Sequence, residues 1–182
     1  GGDDGRKEPS ALPNTILRAA ERMERLIGDL LDIAEIDAGQ LRVERREVDV
    51  GQVVAEVGAG FLPLAEKRGI ALETQIRGDL HVVCDRDRVA QILANLVPHA
   101  MRFTTRGGSV LACVEGAGEL VRFAVSDTGR GIAPLDLPNI WRRFWRCDRT
   151  AGGGVGLGLA IVKHLVEAHG GTIAVGRAAG GG

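Results

Sequence analysis

The sequence predicts an α+β fold: a two-layer α/β sandwich, with helices covering one face of a mixed sheet, preceded by one long helix. Three observations carry this. Apolar residues recur at heptad spacing between residues 14 and 39. After that, short alternating runs mix with longer helical ones, and two of the alternating runs flank a glycine turn. Glycine makes up 27 of the 182 residues while 45% are hydrophobic, so the glycine excess sits in a chain able to build a core. That hydrophobic share excludes a structureless chain, and the lack of a Gly-X-Y period excludes collagen.

Residues 1–13, rich in Gly, Asp and charge, read as a disordered tail. Asn14 then caps a helix in which Ile16, Ala20, Met23, Ile27, Leu30 and Ala34 form a heptad seam. Leu26, Leu31 and Ile33 widen the apolar face, and Gly39 ends the helix in a left-handed cap. Such a helix either packs on its own domain or pairs with partner helices in a bundle. The second reading is favoured, because no second heptad helix exists in the chain to cover the seam.

Leu41–Val48 reads as a strand, Val50–Lys67 as a helix, and Ile70–Ile76 and His81–Cys84 as strands. Arg86–Arg102 reads as a helix with Asp85 as its N-cap. Ser109–Glu115 and Leu120–Ser126 are strands around the Gly116-Ala117-Gly118 turn; Gly156–Ala168 is a helix and Thr172–Val175 a strand.

Bulk properties narrow the function classes. A net charge of −1, from 23 basic and 24 acidic side chains, gives no general attraction to nucleic acid or anionic lipid. No apolar run approaches the ~18 residues of a membrane span. Three widely spaced cysteines, with no Cys-x-x-Cys pair, support neither a zinc site nor a disulfide frame, and a reducing cytoplasmic setting follows. The chain lacks an initiator Met and opens Gly1-Gly2-Asp3-Asp4-Gly5, which reads as a piece of something longer.

Three clusters carry chemistry. Asp127-Thr128-Gly129-Arg130-Gly131 follows a strand; a carboxylate there can accept from an exocyclic amine while the glycines let backbone pass close to a flat ring. Gly152-Gly153-Gly154-Val155-Gly156-Leu157-Gly158 runs into a helix, where freed amides and the helix dipole favour phosphate. Asn95, His99 and Arg102 lie at i, i+4 and i+7 on one helix face and could hold a metal and phosphates. Taken singly, each is also a common turn, loop or helix surface.

Together, in this order, they resemble the ATP-binding catalytic domain of bacterial sensor histidine kinases, over about residues 14–176. Residues 14–39 resemble the second helix of the family's dimerisation hairpin. The Asn95 segment resembles the N box, Asp127–Gly131 the first glycine box, Ile140-Trp141-Arg142-Arg143-Phe144-Trp145-Arg146 the phenylalanine box, and Gly154–Leu159 the second glycine box, followed by His169-Gly170-Gly171. The resemblance implies a Bergerat-type ATP-binding domain over residues 40–177, with ATP and Mg²⁺ as cofactors. It implies that Asp127 holds the adenine amino group and that Gly129 and Gly131 shape the base pocket. Gly154, Gly156, Leu157 and Gly158 face the phosphates. Asn95 and Arg102 serve catalysis, Asn95 and His99 occupy the metal positions, and Phe144 anchors a lid made basic by Arg142, Arg143, Arg146 and Arg149. Implied partners are a second copy through the heptad helix, a phosphoacceptor helix in cis or trans, and a response regulator.

Five departures from the pattern follow. His99 stands where the family has a second Asn, and Mg²⁺ prefers oxygen ligands. Pro98 beside it removes a backbone donor and favours a kink. Either the site still supports Mg·ATP, or the domain signals without efficient catalysis. The phosphoacceptor helix and the last strand are not found, with residues 178–182 read as a Gly-rich tail, and the lid is short. The related gyrase-type ATPases place a Glu base where this chain has Asn95; an amide cannot take a proton from water, which disfavours hydrolysis.

Overall fold

A computed structural model describes residues 12–78, 80–147 and 155–177, with residues 12–15 and Arg18 as backbone only. The chain divides into two compact units, one ending at Gln40 and the other beginning at Leu41.

The first unit is a single helix, α1 (Leu12–Asp37). It begins two residues before Asn14, so Asn14 is a first-turn residue and not the cap. Pro13 explains the shift: its fixed φ suits the first helical turn and its missing N–H costs nothing there. The far end matches expectation. Gly39 takes φ +63°, and the Gln40 N–H donates to the Glu35 carbonyl at 2.8 Å, the long-range bond of a Schellman stop. All six seam residues, Ile16 to Ala34, are exposed.

The second unit runs β1 (Arg46–Asp49), α2 (Val50–Arg68), β2 (Ala71–Arg77), β3 (His81–Cys84), α3 (Arg86–Phe103), β4 (Ser109–Ala117), β5 (Leu120–Asp127), a short 3-10 turn at Leu137–Asn139, and α4 (Gly158–Ala168). The strands form two ladders. β1 pairs antiparallel with β3; β2 runs parallel to β4, and β4 antiparallel to β5. Helices α2 and α3 pack on the three-stranded ladder and on each other, and α4 packs on α3. Val53 and Val54 of α2, Leu93, Val97 and Met101 of α3, and Val110 and Val114 of β4 fill the space between. Burying side chains of this size stabilises by about 1.5–3 kcal/mol each, so this layer contact dominates the fold.

Caps mark the helix ends. Asp49 accepts from the Gln52 N–H at the start of α2, and Gly69 closes it at φ +65°. Asp85 accepts from the Asp87 and Arg88 N–H groups at the start of α3, as expected. α3 then runs as one helix through Pro98 to Phe103, in line with the expected helix over Arg86–Arg102.

Four features differ from the sequence reading. The first strand covers only Arg46–Asp49, because β3 has four residues to offer, with Arg46 opposite Cys84 and Asp49 opposite His81. Beyond Cys84 the partner chain turns into α3, and the Glu44 N–H donates to Asp85 Oδ2 instead. Helix α4 starts at Gly158 and not Gly156, whose φ of +84° lies outside helical space. Thr172–Val175 forms no strand: Thr172, Ala174 and Val175 are all exposed, so no buried face fixes a register. The β4–β5 turn also moves one residue on, to Gly118-Glu119, between the paired Ala117 and Leu120.

Candidate nucleotide site

The site is built around α3. Asp127 is the last residue of β5, opposite Val110, and its Oδ1 accepts from the Gly129 N–H at 2.8 Å. Thr128 locks the same corner, its Oγ1 accepting from the Ser109 N–H at 2.9 Å. Gly129 is required here. A Cβ would lie 2.5 Å from the Phe103 carbonyl oxygen and 2.6 Å from Asp127 Oδ1, so only glycine lets this loop cross the end of α3. Gly131 turns the chain at φ +68°.

On α3 itself, His99, Arg102 and Phe103 form one group. The His99 and Phe103 rings lie 5.0 Å apart between centroids, tilted by 56°. The guanidinium groups of Arg102 and Arg130 sit 5.5 and 5.4 Å from the centre of the Phe103 ring. Burial pushes the His99 imidazole below its ordinary pKa; the Arg102 charge acts in the same direction, and the Asp127 carboxylate opposes both. His99 is therefore neutral near pH 7, and α3 and the Asp127 corner share one electrostatic environment.

The phenylalanine-box and second-glycine-box segments meet through backbone. The Phe144 N–H donates to the Gly156 carbonyl at 2.9 Å, with Phe144 at φ +60°. A Cβ on Gly156 would lie 2.6 Å from the Trp145 carbonyl oxygen. Leu157 is buried, and the next residue, Gly158, lies against α3: its Cβ position is 3.1 Å from Asn95 Oδ1. Phe144 is 61% exposed, and the hydrogen bond of this junction is made by its backbone. Arg142 donates to Asn139 Oδ1 at 3.2 Å, so it is anchored within its own turn. Gly154 and Arg149 lie outside the described residues.

The structure thus brings Asn95 to Gly158, His99 within the field of Asp127, Arg102 over Phe103, and Phe144 to Gly156. Arg130 and Phe103 gained no role from the sequence. Arg130 lies between the two glycines of its box, and Phe103 one helical turn after His99; that spacing was the available signal. Among the described residues, no three His, Cys, Asp or Glu side chains gather to hold a metal ion. Asn95 Oδ1 is a hard oxygen donor at the turn that opens α4, which fits a Mg²⁺ held chiefly by nucleotide phosphates. Among the described residues, no helix is long and apolar enough to cross a membrane.

The fold and this constellation define a nucleotide-binding α/β sandwich. The family model for histidine kinase-, DNA gyrase B- and HSP90-like ATPases matches residues 84–182, and the chain belongs to that family. Within it, the chain is an ATP-binding domain of the sensor histidine kinase type. It is 40% identical to the sensor protein DivL of Caulobacter vibrioides over 158 residues, covering 86% of this chain and 20% of DivL. It is 35% identical to the sensor histidine kinase CusS of Escherichia coli over 162 residues, covering 87% of this chain and 34% of CusS. Among solved structures it resembles the histidine kinase AdeS of Acinetobacter baumannii, with a TM-score of 0.71 and 26% identity over 91% of this chain and 77% of that one. Full-length ShkA in complex with AMPPNP gives 0.75 and 30% identity over 90% of this chain and 35% of that one. The chain therefore spans about a fifth to a third of the curated relatives DivL and CusS.

Proposed function

We propose that this chain binds Mg·ATP and transfers the γ-phosphate to a histidine on a dimerisation helix, as the catalytic module of a two-component sensor kinase in the cytoplasm. The observation that carries the reading is convergence on α3. Its C-terminal end abuts the Asp127 corner through Gly129, while Asn95 in its middle abuts the first residue of α4.

In this reading the second oxygen of Asp127 accepts from the adenine amino group, the first being held by the Gly129 N–H. Gly129 and Gly131 leave room for the flat base. Gly154, Gly156, Leu157 and Gly158 turn amides toward the phosphates, Arg102 adds positive charge, and Phe144 anchors the lid. Asn95 offers its amide oxygen to Mg²⁺, and neutral His99 completes the metal face; the ion, when bound, supplies charge neutralisation for the phosphates. Transfer breaks the bond from the γ-phosphorus to its bridging oxygen and forms a P–N bond on the acceptor imidazole, with ADP leaving. The protein contributes positioning and electrostatics, since Asn95 cannot serve as a base for hydrolysis.

The exposed heptad seam of α1 supports pairing with partner helices in a dimer. A response regulator is the onward partner. That the relatives are sensor histidine kinases supports the active reading over a catalytically impaired one. ATP titration by calorimetry on the wild-type chain, followed by transfer of labelled phosphate to a supplied acceptor hairpin, tests the proposal. Absence of ATP binding overturns it.

A further inference from the structure

We propose that His169 is a positioning residue: it ties the end of α4 to the start of α3, and so holds the Gly156–Gly158 turn in place against Asn95. The inference rests on the nucleotide reading of that turn given above.

The two helices run antiparallel, and two contacts bracket their packing. Gly158, the first residue of α4, lies against Asn95 in the middle of α3. His169, just past the end of α4, lies against Asp85, the N-cap of α3. Along either helix the two points are separated by about 15 Å. Between them α4 presents Ala160, Ile161 and Leu165, all buried. Apolar contact of this kind is strong but non-directional, so a directional bond at one end adds to the register that packing sets. The first turn of α4 has no side-chain cap to fix it.

The directional bond is at the other end. His169 Nε2 accepts from the Asp85 backbone N–H at 3.1 Å, and His169 Nδ1 lies 2.7 Å from the Leu165 carbonyl oxygen. A ring nitrogen that accepts from an N–H carries no proton, so the proton is on Nδ1 and is donated to Leu165. The Asp85 N–H, at the N-cap, has no partner within its own helix. The Asp85 carboxylate cannot compete for the imidazole, being taken up by the N–H groups of Glu44, Asp87 and Arg88. Arg45 closes the corner by donating to the Ala168 carbonyl at 3.1 Å. Gly170, at φ +81°, then turns the chain away. Two chain segments 84 residues apart are thereby joined by one imidazole.

Two substitutions separate this role from simple capping of α4. His169→Gln carries an acceptor to the reach of Nε2 and can restore the bond to Asp85. His169→Asn places its polar atoms near the position of Nδ1; it can cap Leu165 but cannot reach Asp85. The measurements are ATP affinity by calorimetry and hydrogen exchange at the Asp85 amide, both on the full 182-residue chain, with circular dichroism to confirm folding. The proposal expects His169→Asn to weaken ATP binding about tenfold and to speed Asp85 exchange, with His169→Gln within about threefold of wild type. If His169→Gln loses as much as His169→Asn, or if neither differs from an ATP-binding wild type, the positioning role is overturned. A wild-type chain that binds no ATP overturns the nucleotide reading, and the positioning role with it, whatever the Asp85 exchange shows.

Discussion

Asp127→Asn isolates one atom of the proposed base contact. The Gly129 N–H already donates to one Asp127 oxygen at 2.8 Å. An Asn side chain must keep its oxygen toward that N–H, which leaves its NH₂ facing the site. The corner keeps its fold, but the group offered to the adenine amine changes from an anionic acceptor to a donor. A hydrogen bond to a charged group contributes about 1.5–3 kcal/mol, and two donors facing each other leave both unsatisfied at a further ~1–3 kcal/mol. Together these weaken ATP binding by at least about a hundredfold, enough to abolish a calorimetric signal at ordinary concentrations. A 6-oxo purine triphosphate, which presents an acceptor at that edge, should lose less. Unchanged ATP affinity in the variant, with unchanged circular dichroism, would remove Asp127 from the base pocket and refute the reasoning.

Two more outcomes follow from the same corner. Gly129→Ala forces a methyl group to within 2.5 Å of the Phe103 carbonyl and should cost about 1–3 kcal/mol of stability, read from urea midpoints; an unchanged midpoint counts against the close approach. His99, held neutral by burial and then by Arg102, should make stability pH-dependent. The unfolded chain protonates this imidazole near its ordinary value of ~6.5 while the folded chain resists, so stability falls as pH drops below about 6.5. Urea unfolding at about pH 7.5 and about pH 5.5 should show a larger loss for wild type than for His99→Asn; equal losses would contradict the buried, neutral assignment.

Much of the architecture was legible because its signals are local. Asp85 before a helical run marks α3, and the alternating runs around Gly118 mark β4 and β5. The four boxes are legible by order and spacing. What escaped depends on partners far away in sequence. The length of β1 is set by the four residues β3 can offer, and nothing in residues 41–45 announces that limit. Thr172–Val175 alternates like a strand but lacks a buried face. Pro13 was the local signal for the start of α1, and Asn14 obscured it as a plausible cap. Within the site, Asp127, Asn95 and the glycines could be named from sequence. The stacking of Arg102 and Arg130 on Phe103 could not, because Arg130 comes from a different element. The same holds for His169, which the sequence offered only as part of His169-Gly170-Gly171. It is a cap, but its second nitrogen reaches Asp85 across the fold.

The measurement that bears most directly on the central claim is phosphoryl transfer. The wild-type chain is incubated with γ-labelled ATP, Mg²⁺ and a supplied two-helix hairpin that carries an acceptor histidine. The account expects label on that histidine, lost when Mg²⁺ is chelated and when Asp127→Asn replaces wild type. ATP bound but never transferred, or released as free phosphate with the hairpin unlabelled, would contradict it.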